Sequence, residues 1–209
     1  LFDIKGYHGV TRERDSLMNG KNCYLAYIKD LPGLEEEKYA SYLPHFARVE
    51  YSLAYNIQEN GKDKRLFTWD DIAKNVYKTY TTFSSKEIKE GKKILDNKTY
   101  QSLSGTLQKV NWIENYIKGN IVQQEYVQAE NAEDIEFIIK NKLTTEDGIK
   151  KMFALLLFVD NIDFEIGYTT NRFNKPFDYS FINPDNLADC LFYIPAIQQY
   201  IAPNYIVYR

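Results

Sequence analysis

The stretch that most constrains this chain lies between Thr144 and Asn161. After one polar turn, Met152, Phe153, Leu155, Leu156 and Leu157 follow so closely that a helix here is apolar nearly all round. Such a helix cannot lie on a surface with one face in water; it must be central and covered on several sides. Thr144 or Thr145 can cap it, and Glu146 and Asp147 in the first turn suit the positive end of the helix dipole. The apolar run from Phe153 to Val159 is too short to span a bilayer, so the helix belongs to a folded core rather than to a membrane.

The rest of the chain supplies the cover. The first 57 residues read as β-structure. Asn19-Gly20 is a hairpin turn signal before a short strand from Cys23 to Ile28, and Leu31-Pro32-Gly33 ends that strand. From Phe46 onward Val49, Tyr51, Leu53 and Tyr55 alternate with Glu50, Ser52 and Ala54, the period of a strand with one buried face. Residues 58–64 are polar, carry Asn60-Gly61 and read as a loop or linker. Thr68 with Asp71, then Ser84 with Glu87, look like capping boxes opening two helices. Leu107, Val110, Ile113 and Ile117 mark a third helix, and Ala132 to Ile139 a shorter one. A short strand is expected within Ile121 to Gln128. Past Asn161, strands are expected at Phe164 to Tyr168, Leu187 to Ile194 and Ile201 to Tyr208. This order predicts an α+β fold.

Composition closes off several function classes. The 29 acidic and 26 basic residues leave a net charge of −3 with no basic block, so a nucleic-acid partner lacks its electrostatic footprint. Cys23 and Cys190 are too few and too far apart for a disulfide framework or a zinc site. His8 and His45 stand in the β-rich part, with no cysteine or acidic motif at ligand spacing. The expectation is no cofactor and no metal. Tyrosines near Tyr77–Tyr80 and Tyr193–Tyr200 suit either a half-buried layer or a groove for a protein or glycan partner.

The segments "MFALLLFVDNIDFEIGYTTNR", "LADCLFYIP" and "YIAPN", taken in that order, resemble the core of bacterial transglutaminase-like proteins, a papain-type fold. Upstream, "FTWDDIAKNVYKTY" and "WIENYIKGNI" resemble the helical lead-in to such cores. "KDLPGLEEEKYASYLPHFARVEYSL" resembles the last strands of the β-sandwich domain of unknown function that precedes them. The resemblance implies a division into residues 1–57, the end of a β-sandwich, and residues 65–209, the transglutaminase-like domain with its lead-in. It also implies a bacterial envelope or secreted setting: periplasmic, cell-surface or exported.

The family's reaction runs through a thiolate at a helix start, a histidine that shuttles its proton and an aspartate that orients the histidine. By the resemblance these positions fall on Glu146, Asp189 and Ala202. No cysteine lies between Cys23 and Cys190 and no histidine follows His45, so the thiol–imidazole order cannot be recovered by a small shift of alignment. The expectation is a vestigial site on a non-catalytic domain with a binding or structural role. Two alternatives stay open at this point: an active cysteine amidase or peptidase using Cys190, and a hydrolase using Glu146 and Asp189 as a carboxylate pair.

Overall fold

A computed structural model describes residues 1–31, 33, 41–56 and 64–205, with the backbone alone for 12–16 and 21–22. The chain is mixed α+β with small sheets. Among the described residues six strands come first: β1 (Phe2–Tyr7), β2 (Thr11–Met18), β3 (Lys21–Tyr27), β4 (Arg48–Leu53), β5 (Tyr55–Asn56) and β6 (Lys64–Arg65). Helices α1 (Trp69–Thr81), α2 (Ser85–Leu95), α3 (Lys98–Gln101) and α4 (Thr106–Asn120) follow. Then come β7 (Val122–Gln123), α5 (Ile135–Asn141), β8 (Leu143–Thr144), α6 (Glu146–Val159), β9 (Glu165–Thr169), β10 (Asp189–Ile194) and β11 (Gln199–Ile201).

These elements form two compact units. One comprises residues 1–72 with 168–189, the other 73–167 with 190–209. The units are interleaved along the chain, where the reading from sequence divided it once, between 57 and 65.

In the first unit β1 pairs antiparallel with β4, and β2 with β3. The β2–β3 turn is Asn19-Gly20, with φ of +53° and +72°. Positive φ at both central residues is the type I′ geometry whose twist matches a two-residue hairpin, and glycine takes it without a Cβ penalty. β4 has the expected alternation with one buried face, and that face is the one bearing Glu50, Ser52 and Ala54, while Val49, Tyr51 and Leu53 are exposed. Glu50 can be buried because both its carboxylate oxygens are met. Arg48 Nε and Asn186 Nδ2 each donate to Glu50 at 2.7 Å, and Asn183 Nδ2 donates to the carbonyl of Tyr51. Gly6 of β1 needs its bare Cα, since a Cβ there would stand 2.8 Å from the Val10 carbonyl oxygen.

In the second unit α6 is the centre, as its composition requires. Met152 to Leu157 are completely buried, and even Lys150 in its second turn is 4% exposed. The Thr145 side chain caps it by accepting from Gly148 N–H. Helices α2, α4 and α5 pack around it. Gly91 of α2 allows close approach, because a Cβ would stand 3.0 Å from Val159 and 3.3 Å from Leu155. On the remaining side Phe153 meets Phe192 of β10 edge-on at 5.1 Å, and Phe192 also touches Tyr80 and Phe164. Strands β11, β10 and β9 form a three-stranded sheet in that order.

The helix starts are those the side chains dictate. Thr68 and Asp71 bond reciprocally, as do Ser84 and Glu87. Two strands differ from expectation. Within Ile121–Gln128 only Val122–Gln123 pairs, and it pairs in parallel with β8. The expected strand Ile201–Tyr208 gives way to β11, which ends at Ile201. Residues 202–205 then turn, with Tyr205 N–H donating to the Ala202 carbonyl. Pro203 has no N–H to continue a ladder, which fits a turn better than a strand. Residues 57–63, most of the expected linker, and 206–209 lie outside the described residues.

Candidate functional site

Glu146 is the first residue of α6, in the second unit. One oxygen of its carboxylate, Oε1, is engaged twice: Lys150 Nζ stands 2.7 Å away, and Asn204 Nδ2 donates to it at 3.0 Å. Lys150 also reaches Asp147 Oδ1 at 2.9 Å. Burial disfavours the Lys150 ammonium, but its bonds to Glu146 and Asp147 more than offset this and hold it protonated beyond the ordinary lysine range. Ala202 opens the 202–205 turn just after β11, and that turn delivers Asn204 to Glu146. The Glu146 and Ala202 neighbourhoods are therefore joined by a hydrogen bond of Asn204, a residue the sequence reading passed over. Asp189 opens β10, is half-buried and belongs to the first unit.

The side chains that meet Glu146, those of Lys150 and Asn204, are neither thiol nor imidazole. Cys190 is completely buried in β10, and Cys23 is half-buried in β3; neither forms a disulfide. The rings of His8 and His45 lie 6.1 Å apart. Among the described residues no three His, Cys, Asp or Glu side chains form a group able to hold a metal ion.

A dense polar cluster lies wholly within the first unit and was not anticipated. Lys5 and Tyr7 come from β1, Arg48 and Glu50 from β4, and their partners from residues 170–187. Asp178 Oδ2 accepts from Lys5 Nζ at 2.5 Å and from Tyr7 Oη at 2.8 Å. Its Oδ1 accepts from the amide and hydroxyl of Ser180. Burial alone would raise the Asp178 carboxyl, but the bonds from Lys5, Ser180 and Tyr7 outweigh it and hold the group well below the usual carboxylate range. Glu50 is lowered in the same way: burial opposes the charge, and Arg48, Asn186 and Lys175 overcome it. Burial and the bond to Asp178 push the Tyr7 phenol above its usual value, so it stays protonated. The Arg48 guanidinium lies 4.4 Å from the Tyr7 ring centre.

Chemically this cluster is a clamp. Both Asp178 oxygens already accept two hydrogen bonds, which leaves little capacity for a general base. The adjoining cavity, bordered by Tyr7, Glu50, Thr170, Asp178 and Asn186, holds about 10 Å³, room for a water and not for a substrate. Local signals for it do exist in the sequence. Asn171, Asp178 and Asn183 each accept from the backbone N–H two residues on, so a run rich in Asn and Asp folds its own loop.

The second unit carries a larger open recess of about 550 Å³, bordered by Ser104, Thr106, Lys109, Asp160 and Asp163. A Lys109–Asp160 ion pair of 2.9 Å crosses its wall. The nearby Tyr100 phenol is buried, and burial together with the Asp160 charge raises it above its ordinary value. No protein-family model, curated protein or solved structure matches the chain.

Proposed function

We propose that this chain is a non-catalytic domain of the transglutaminase-like kind, with a binding or structural role in a bacterial envelope or secreted protein. The observation that carries the reading is the fate of Glu146. At the helix start, where the family's chemistry needs a free nucleophile, this chain has a carboxylate whose Oε1 is tied to Lys150 and to Asn204 of the turn after β11. It works as a strut between a helix terminus and a turn. Two partners on Oε1 hold the carboxylate in place, which suits an anchor better than a member of a carboxylate-pair hydrolase. The buried sulfur of Cys190 makes an equally poor nucleophile, since reactive thiols are partly exposed and sit in electropositive surroundings. The order of α6, β9, β10 and β11 is compatible with the resemblance read from the sequence. A protein or glycan is the partner class we favour, and Tyr200, exposed and with its ring tilted against that of Tyr193 at 4.8 Å, is a side chain such a partner could use.

The test is a search for acyl transfer. The chain is incubated with a glutamine-containing peptide and a primary amine, then with an activated acyl probe, and intact mass is recorded. No turnover and no adduct is the expected outcome. A covalent adduct on Cys190, or an activity abolished by Cys190→Ser, overturns the proposal.

A further inference from the structure

We propose that two copies of this chain join through β1, pairing edge to edge and antiparallel about Ile4. The inference rests on the geometry of the first unit and is independent of whether the protein is an enzyme.

The starting observation is an open strand edge. β1 has one neighbour, β4, among the described residues. The direction of its backbone groups follows from Leu1, whose N–H donates to Tyr55 O at 2.7 Å and whose carbonyl accepts from Ala54 N–H at 2.9 Å. In an extended strand the N–H and C=O of one residue point the same way and those of the next residue point oppositely. Asp3 and Lys5 therefore follow Leu1 toward β4, and Phe2, Ile4 and Gly6 direct theirs to the outer edge. No described residue bonds to those outer groups. A two-stranded sheet is marginal alone, and an unblocked edge is a template for another strand.

The second observation is the apolar face flanking that edge. The register sets Phe2 opposite Leu53, Ile4 opposite Tyr51 and Gly6 opposite Val49. Phe2 is 58% exposed, Tyr51 69% and Leu53 50%, with the Phe2 and Tyr51 rings in edge contact at 6.0 Å. Pairing two β1 strands makes one four-stranded sheet and doubles this face.

The third observation selects both the occupant and the register. Identical strands can pair antiparallel so that outward groups meet when centred on Asp3, Ile4 or Lys5. Centring on Asp3 sets Asp3 against the partner's Asp3, and centring on Lys5 sets lysine against lysine; like charges directly opposite are unfavourable. Centring on Ile4 sets Phe2 against the partner's Gly6, and Asp3 against the partner's Lys5, twice by symmetry. It also gives the longest run of paired outward groups. Asp3 and the partner's Lys5 then occupy a non-hydrogen-bonded position, where side chains approach most closely. Within each copy Arg65 Nη2 already stands 2.8 Å from Asp3, and Lys5 stands 2.5 Å from Asp178. The pairing thus extends both bridges into one alternating row: Arg65, Asp3, the partner's Lys5, the partner's Asp178. The interface is isologous, so it closes at two copies.

The experiment uses the full chain with Cys23→Ser. Sedimentation across a concentration series should show the mass doubling from 24.6 kDa, and added salt should shift the midpoint to higher concentration. Over the same series the amides of Ile4 and Gly6 should gain protection from hydrogen exchange. Ile4→Cys should oxidise to a disulfide-linked dimer. Phe2→Cys should not, because the two Phe2 positions would lie roughly 14 Å apart along the strands, beyond disulfide reach. A mass of one copy at every concentration overturns the proposal. So does a dimer that cross-links through Phe2→Cys, or one in which the Ile4 and Gly6 amides gain no protection.

Discussion

Replacing Gly148 by alanine should destabilise the protein, although alanine is ordinarily the better helix residue by about 1 kcal/mol. Gly148 sits in the first turn of α6, and a Cβ added there would fall 1.8 Å from Thr144 Oγ1, 2.9 Å from Thr144 Cβ and 3.2 Å from Ile138 Cδ1. Thr144 is completely buried, and its hydroxyl donates to the Ala132 carbonyl at 2.7 Å. Turning the hydroxyl aside removes that donor from a buried acceptor, a loss of about 1–3 kcal/mol. The contact with Thr144 Cβ remains and forces β8 or α6 to move, for about 1–3 kcal/mol more. Against the helix preference the balance is a net loss of about 1–5 kcal/mol. Urea unfolding followed by far-UV circular dichroism reads it as a lower midpoint at unchanged slope. Adding Thr144→Ala removes the hydroxyl, so the double variant should lose less than the two single losses summed. Gly119 in α4 has nothing within 4 Å of its would-be Cβ, and Gly119→Ala should gain up to about 1 kcal/mol. A Gly148→Ala protein at or above the starting stability would refute the reasoning.

Leu156→Ala, at a completely buried position of α6, should cost about 2–5 kcal/mol by the same unfolding assay; less than half a kcal/mol would mean the helix is peripheral. Asp178 and Glu50 both have lowered folded-state pKa values, so their stabilisation is complete above the unfolded carboxyl range near pH ~4 and is lost as pH falls through the folded values. Thermal unfolding between neutral and acid pH should show that loss, and Asp178→Asn should flatten it; an unchanged acid profile would count against the clamp. Thiol labelling of the native chain should modify Cys23 and leave Cys190 silent until denaturant is added, whereas equal native rates would contradict the burial of β10.

What could be read from the sequence was local. The capping pairs Thr68–Asp71 and Ser84–Glu87, the Asn19-Gly20 turn and the α6 start are set by residues within a few positions of one another, and each is found where its chemistry puts it. The buried helix was legible because nothing but burial satisfies its composition. The β4 faces were not, since the groups that let Glu50 turn inward include Asn186, 136 residues away. Helix α3 is four residues long, too short for a period, and is set by the Asn97 cap. At the candidate site Glu146 was legible as a helix opener. Its tie to Asn204 spans 58 residues and leaves no trace in spacing.

The first unit is assembled from two stretches of chain, and this imposes an order of events at the ribosome. Lys5 and Tyr7 are made first, and Asp178, to which both bond, emerges more than 170 residues later. At about 5–20 residues per second, β1 waits roughly ten to thirty seconds for that partner. Most of the helical unit is synthesised in the interval and can begin to fold, since its helices are local. A nascent chain arrested before residue 178 should therefore expose the Lys5–Tyr7 strand without its clamp.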